Sequence, residues 1–115
     1  MNTVYTVAFK DGKYLMVFNT KRNGWEMPGG KIEKGEDVEK AAKREYMEEA
    51  GYEVDIVSVR NLKHCWVCCA RLGDKICESE MVGELFDALP EKLSFDRTEY
   101  EDVIPWAENE LNREI

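Results

Sequence analysis

The stretch Trp25–Tyr52, WEMPGGKIEKGEDVEKAAKREYMEEAGY, decides how this chain folds. It reads as a glycine-rich loop feeding a helix from about Val38 to Ala50. Asp37 stands at the N-cap position, and Gly51 stands where a left-handed residue ends a helix. With Val38 at zero and 100° per residue, Ala42, Ala41, Glu45, Glu49 and Glu48 fall at roughly 40°, 300°, 340°, 20° and 280°. Glu45 and Glu49 therefore share the small, apolar face that is expected to pack inward. Like charges four residues apart destabilise even an exposed helix by roughly a few tenths of a kcal/mol, and partial burial raises that cost. The plain alternative is a solvated acidic face, with Arg44 and Glu48 paired at i,i+4 and Lys40 nearby. Three oxygen donors at i, i+3 and i+4 instead suit a hard divalent cation such as magnesium, which turns repulsion into coordination.

The preceding loop favours the second reading. Pro28-Gly29-Gly30 lets backbone approach a ligand closely. The helix N-terminus beyond it offers free N–H groups to an anion, and Lys31 adds a mobile positive charge. Phosphate recognition beside a magnesium site is a coherent combination. The segment is not a P-loop, since the Gly-Lys-Ser/Thr ending is absent.

Working outward, Thr3–Thr20 reads as two strands around an Asp11-Gly12 hairpin turn. Lys21–Trp25 reads as a turn or loop, and Trp25–Met27 as a short extended piece stopped at Pro28. Tyr52–Val59, Lys63–Leu72 and Met81–Phe86 read as further strands, with Gly73-Asp74 in a turn. Asp87–Ser94 reads as a loop or short helical turn. Pro105, at a first helical position, starts a final helix through Asn112. Strands mixed with two helices predict an α/β or α+β sandwich, and 115 residues leave room for one domain, residues 1–115.

The longest apolar run, Cys65–Ala70, is too short to cross a bilayer, and no basic-then-apolar leader is visible. The expectation is a cytoplasmic protein with no membrane partner. A net charge of −8 disfavours a long nucleic-acid partner, because the phosphate backbone is repelled. It leaves a small polyanion open, gripped through metal ions and a few basic residues. Cys65 and Cys68 form a CxxC next to His64, which raises zinc. A strand places Cys65 and Cys69 on one face and Cys68 on the other, so reduced, mostly buried thiols are the favoured reading over a metal site.

The pattern from Gly30 onward resembles the Nudix box. Gly30 is followed after five residues by Glu36, and after seven more by Arg44-Glu45. Tyr46, Met47, Glu48-Glu49, Ala50, Gly51 and Tyr52 complete it. Tyr46 and Tyr52 depart from the aliphatic residues usual there. The likeness extends back through Trp25–Glu36 towards the MutT branch and its YtkD-type relatives, and thins in the second half.

The resemblance implies an α/β/α sandwich around a mixed β-sheet, with the loop and helix at about 30–52. It implies Mg2+- or Mn2+-dependent hydrolysis of a nucleoside diphosphate linked to another moiety. The leading expectation is a nucleoside triphosphate, 8-oxo-dGTP included, cleaved to the monophosphate and pyrophosphate. Glu45, Glu48 and Glu49 would hold or orient metal, Gly29 would give its carbonyl, and Glu36 would assist through water. Arg44 would orient the glutamates, Lys31 and Gly30 would meet phosphate, and Glu48 or Glu45 would accept the proton. Glu80, with Glu84 second, is the expected acidic ligand outside the box. Tyr5 and Phe86 are the leading candidates for base contact, ahead of Phe9, Trp66 and Asn109; ordinary core packing is the plain alternative for the aromatics. Removal of pyrophosphate from RNA 5′ ends, hydrolysis of ADP-sugars or dinucleotides, and a non-catalytic nucleotide-binding module are the other readings. A homodimer is compatible with all of them.

Overall fold

The computed structural model describes residues 2–114. In chain order the elements are β1 (Thr3–Lys10), β2 (Lys13–Asn19), β3 (Gly24–Glu26), β4 (Gly29–Lys31), α1 (Val38–Ala50), β5 (Tyr52–Asn61), β6 (Trp66–Lys75), β7 (Val82–Phe86) and α2 (Arg97–Asn112). The expected hairpin forms: Asp11 and Gly12 take φ of 52° and 78°, the left-handed pair that suits the twist of β1 and β2.

The sheet is mixed, with β1 parallel to β6 and the remaining pairs antiparallel. β1 and β2 pair only beside their turn, at Phe9–Tyr14 and Lys10–Lys13, and then splay apart. The chain between them fills the gap. β3 runs back along β2, turns at Met27-Pro28, and leaves along β1 as β4. The tip is pinned where Thr6 N–H donates to the Pro28 carbonyl at 3.0 Å. This U-turn delivers Gly29 and Gly30 to the sheet beside α1.

Alternation along β1 and β6 sends side chains to opposite faces. Val4, Ala8, Cys68, Ala70 and Leu72 pack with Ala41, Ala42, Tyr46 and Ala50 of α1. Val7, Phe9, Val67 and Cys69 pack with Tyr100, Val103, Ile104 and Ala107 of α2. The two helices thus cover opposite faces, giving the expected α/β/α sandwich. Among the described residues no helix is long and apolar enough to cross a membrane.

α1 has the predicted bounds and caps. Asp37 accepts from Lys40 N–H at 2.8 Å, and Gly51 takes φ 79° with its N–H on the Met47 carbonyl. Three local expectations are corrected. The Gly29-Gly30 segment is a short strand rather than a free loop, because the splayed β1 supplies its hydrogen-bond partners. Gly73 and Asp74 lie inside β6; a Cβ at Gly73 would sit 3.0 Å from the Glu53 carbonyl, so this glycine marks close strand approach near a register shift. Pro105 lies inside α2, which starts at Arg97 after the Asp96 cap. The ring sits on the exposed side, and burial of Tyr100, Val103, Ile104 and Ala107 offsets the missing hydrogen bond.

Candidate active site

Arg44 organises one end of the site. Its Nε and Nη2 grip the Glu36 carboxylate at 2.6 and 2.9 Å, in the two-pronged geometry that only a guanidinium provides. Its Nη1 reaches Glu45 Oε1 at 2.7 Å and Glu48 Oε2 at 3.2 Å, and its Nη2 also donates to the Lys31 carbonyl at 2.8 Å. One cation thus ties the loop carboxylate to two helix carboxylates. The Arg44 hydrogen bonds, followed by one from Glu33 N–H, hold Glu36 down to about 2.

Glu49 has no cation partner among the described residues. Its Oε1 accepts from Gly29 N–H at 3.0 Å. Burial pushes it up to about 7, helped by the charges of Glu45, Glu26 and Glu80 and opposed by the Gly29 bond. Burial also raises Glu45, against the pull of Arg44. A Cβ on Gly29 would collide with the Val4 carbonyl, so glycine is required there, and one on Gly30 would push the Glu45 carboxylate aside.

Glu45, Glu49, Gly29 and Gly30 line a cleft of about 610 Å³ between the U-turn, β1 and the start of α2. Its remaining wall includes Tyr5, Arg22, Glu26, Phe95 and Tyr100. Glu26 is buried and balanced by Arg22 at 3.2 Å, and the Arg22 guanidinium also stacks 4.9 Å from the Phe95 ring. The cleft therefore has carboxylates at its α1 side and aromatic surface elsewhere, a division that suits a metal-bound phosphate chain with an aromatic head.

The model of the NUDIX domain family matches residues 2–107. The chain belongs to the NUDIX domain family. Among its relatives, the uncharacterised Nudix hydrolase YvcI of Bacillus subtilis is 46% identical over 72 residues, covering 63% of this chain and 44% of that protein. An 8-oxo-dGTP diphosphatase of Buchnera aphidicola is 50% identical over 40 residues, covering 35% of this chain and 27% of the relative. A crystal structure of a mutant Bacillus subtilis pyrophosphohydrolase, BsRppH, superposes with TM-score 0.68 at 25% identity, covering 98% of this chain and 82% of that one. The chain spans less than half the length of the curated relatives it matches, between 15% and 44%.

Within the NUDIX fold, the residues singled out from sequence separate into two groups. Glu36, Arg44, Glu45, Glu49, Gly29 and Gly30 gather at the α1 end of the cleft, and Tyr5 lines it. Glu48 is half exposed at the rim, held by Arg44 rather than facing the cleft. Lys31 is exposed, with its carbonyl on Arg44. Glu80 is exposed, its N–H on the Glu48 carbonyl at 3.1 Å, close enough to Glu49 for its charge to act there. Glu84 lies exposed on β7, opposite Met16. Phe86 is elsewhere: its ring packs 4.9 Å from Trp25 in the α2-side core, so the structure does not bring it to the cleft. Glu26, Arg22, Phe95, Glu99 and Tyr100 were not anticipated. They come from segments distant along the chain; of the other cleft residues outside the motif, His64 and Cys65 of the His64–CxxC stretch carry a visible signal.

The donor set fits a hard divalent cation. Glu45 and Glu49 are partly enclosed carboxylates whose proton affinity burial raises, Glu49 without a cation partner among the described residues, and oxygen is the ligand that magnesium and manganese take.

Proposed function

We propose that this NUDIX domain hydrolyses a phosphoanhydride of a nucleoside 5′-triphosphate to the monophosphate and pyrophosphate, in the manner of the MutT branch, with 8-oxo-dGTP or another (d)NTP as substrate. The observation that carries this reading is the placement of Glu45 and Glu49 together on the α1 side of the cleft, both partly enclosed, with Glu49 lacking a cation partner among the described residues. Similarity to a protein named as an 8-oxo-dGTP diphosphatase supports the substrate class.

Glu45 and Glu49 would hold magnesium or manganese, with the Gly29 carbonyl, Glu48 and Glu80 as further oxygen donors. When bound, the ion supplies neutralisation of phosphate charge and a lowered water pKa. The remaining work falls to the chain. Arg44 fixes Glu36, Glu45 and Glu48 as one rigid set, so that donors are placed before substrate arrives. Lys31, extended from the end of β4, meets the phosphate chain. Tyr5 and Tyr100, whose rings meet edge to face at 5.8 Å, and Phe95 offer surface to the base. The proton from the attacking water passes to Glu45 or Glu48. These differ in setting, and comparing the pH–rate profiles of Glu45→Gln and Glu48→Gln separates them: the variant without the base loses the acidic limb.

The deciding experiment presents 8-oxo-dGTP, dGTP, a 5′-triphosphorylated RNA and ADP-ribose at equal concentration, with magnesium, and resolves the products by ion-exchange chromatography. Preferential release of pyrophosphate from the free nucleotides is expected, and the other two arms test the RNA and ADP-sugar readings. Glu49→Gln should cost at least about a hundredfold in kcat/KM. Activity within about threefold of the native chain removes the ligand assignment. Nucleotide binding without turnover in the native chain identifies a non-catalytic module.

A further inference from the structure

A second set of metal-ligating side chains lies on the cleft wall and is unlike the first. Among the described residues, His64, Cys65 and Glu99 are the one group of three whose donor atoms all lie within 4.8 Å of one another. They come from three places: His64 from the turn after β5, Cys65 from the residue before β6, and Glu99 from the first turn of α2. All three line the cleft.

Their outer contacts are those of a ligand set. His64 Nδ1 lies 3.2 Å from the Leu62 carbonyl, an outer contact that orients the ring with Nε2 turned inward. Nε2 faces Glu99 Oε1 at 2.8 Å. At that distance either the Nε2 hydrogen or a metal ion can join the ring to the carboxylate. The other Glu99 oxygen accepts from the Tyr5 hydroxyl at 2.8 Å, which fixes the plane of the carboxylate. Cys65 is buried beside them. Lys63, at φ 76°, and the Leu62 N–H bond to the Cys65 carbonyl at 2.9 Å hold the turn in the shape that presents His64 and Cys65 together.

We propose that His64, Cys65 and Glu99 form a site for a borderline-soft transition ion of the Zn2+ type, separate from the oxygen-only site on α1. One nitrogen, one sulfur and one oxygen are the donors zinc accepts, with a fourth position open to the cleft. Magnesium, which avoids sulfur, is excluded from it. Binding displaces the thiol proton of Cys65 and replaces the direct His64–Glu99 contact. Burial, and then the Glu99 charge, keep the thiol up at about 11, so the metal-free site holds a neutral thiol and the ion must compete with that proton. Cys68, the other half of the CxxC, takes no part: it lies on the α1 face of the sheet.

The test is a Co2+ titration of the metal-free native chain under a non-chelating reductant, with no nucleotide present, so that its outcome is independent of turnover. Stoichiometric growth of a thiolate-to-cobalt charge-transfer band is expected, with intense tetrahedral ligand-field bands that Zn2+ abolishes and excess Mg2+ leaves unchanged. Cys65→Ser should remove the charge-transfer band, while Glu49→Gln should keep it. Tyr5→Phe, which deletes only an outer contact, should weaken zinc binding roughly tenfold, and His64→Ala should weaken it more. His64 is exposed, so its replacement leaves the fold intact and keeps the test valid if Cys65→Ser does not fold. Absence of the band in the native chain, its persistence in Cys65→Ser, its loss in Cys77→Ser, or unchanged affinity in His64→Ala overturns the site.

Discussion

Glu49 carries the clearest consequence at the scale of single residues. Its carboxyl is pushed from an ordinary 4.5 up to about 7, so the folded, metal-free chain holds this proton more tightly than the unfolded chain. The stabilisation is complete below about pH 4.5 and is lost as pH rises through about 7. Glu49→Gln keeps an acceptor for Gly29 N–H and cannot ionise. Without metal it should be more stable than the native chain by about 1–3 kcal/mol at neutral pH and equal to it near pH 4.5, read by denaturant unfolding at both pH values. Equal stability at neutral pH would mean that the carboxylate is not short of positive charge. Tyr46 offers a contrasting case. It replaces the aliphatic residue usual in this motif, is fully buried, and its hydroxyl has no hydrogen-bond partner among the described residues. Tyr46→Phe should leave stability unchanged or raise it by up to about 1 kcal/mol in urea melts, because no bond is lost and no polar atom stays buried.

At the scale of elements, α1 is the part that the chain specifies most locally. Asp37, the alanine face and Gly51 fix its start, its packing side and its end within one contiguous segment, and all three were legible in the sequence. Gly51 does more than end the helix. Its carbonyl accepts from Ile76 N–H at 2.9 Å, and a Cβ there would collide with the Cys77 carbonyl. Gly51→Ala combines a left-handed φ with that collision and should destabilise the fold by at least about 1 kcal/mol, seen as a lower urea midpoint with unchanged slope. α2 was legible only in part. Pro105 looked like a helix start because proline suits the first turn; the packing of Tyr100 and Val103 on the sheet extends the helix back to Asp96. β4 is not legible locally, because Gly-Gly carries no strand propensity. Its hydrogen bonds come from the open edge of β1, which no local pattern announces.

For the whole molecule, the splaying of β1 and β2 is the feature that makes a site. The gap admits the U-turn, the U-turn sets Gly29 and Gly30 against Glu49 and Glu45, and the cleft opens between that turn and α2. An ion bound there stabilises the folded chain alone, because the unfolded chain does not assemble the donors. At a magnesium concentration about a hundred times its dissociation constant the gain is about 2.7 kcal/mol. The native chain should therefore melt several degrees higher with magnesium by differential scanning calorimetry, and Glu49→Gln should show much less of that rise. An identical shift in both would place the ion away from Glu49.

By itself the sequence determined the helix with its caps, the glutamates that share its inner face, the β1–β2 hairpin and the family. Each is written in residues within a few turns of one another, where backbone geometry fixes the spacing. Tertiary structure alone decided which carboxylates turn into the cleft, that Phe86 packs into the core instead, and that His64, Cys65 and Glu99 meet beneath Tyr5. The Tyr5–Glu99 hydrogen bond joins residues 94 positions apart. Such a contact depends on how the whole sheet twists and where α2 docks, and no periodicity along the chain encodes it.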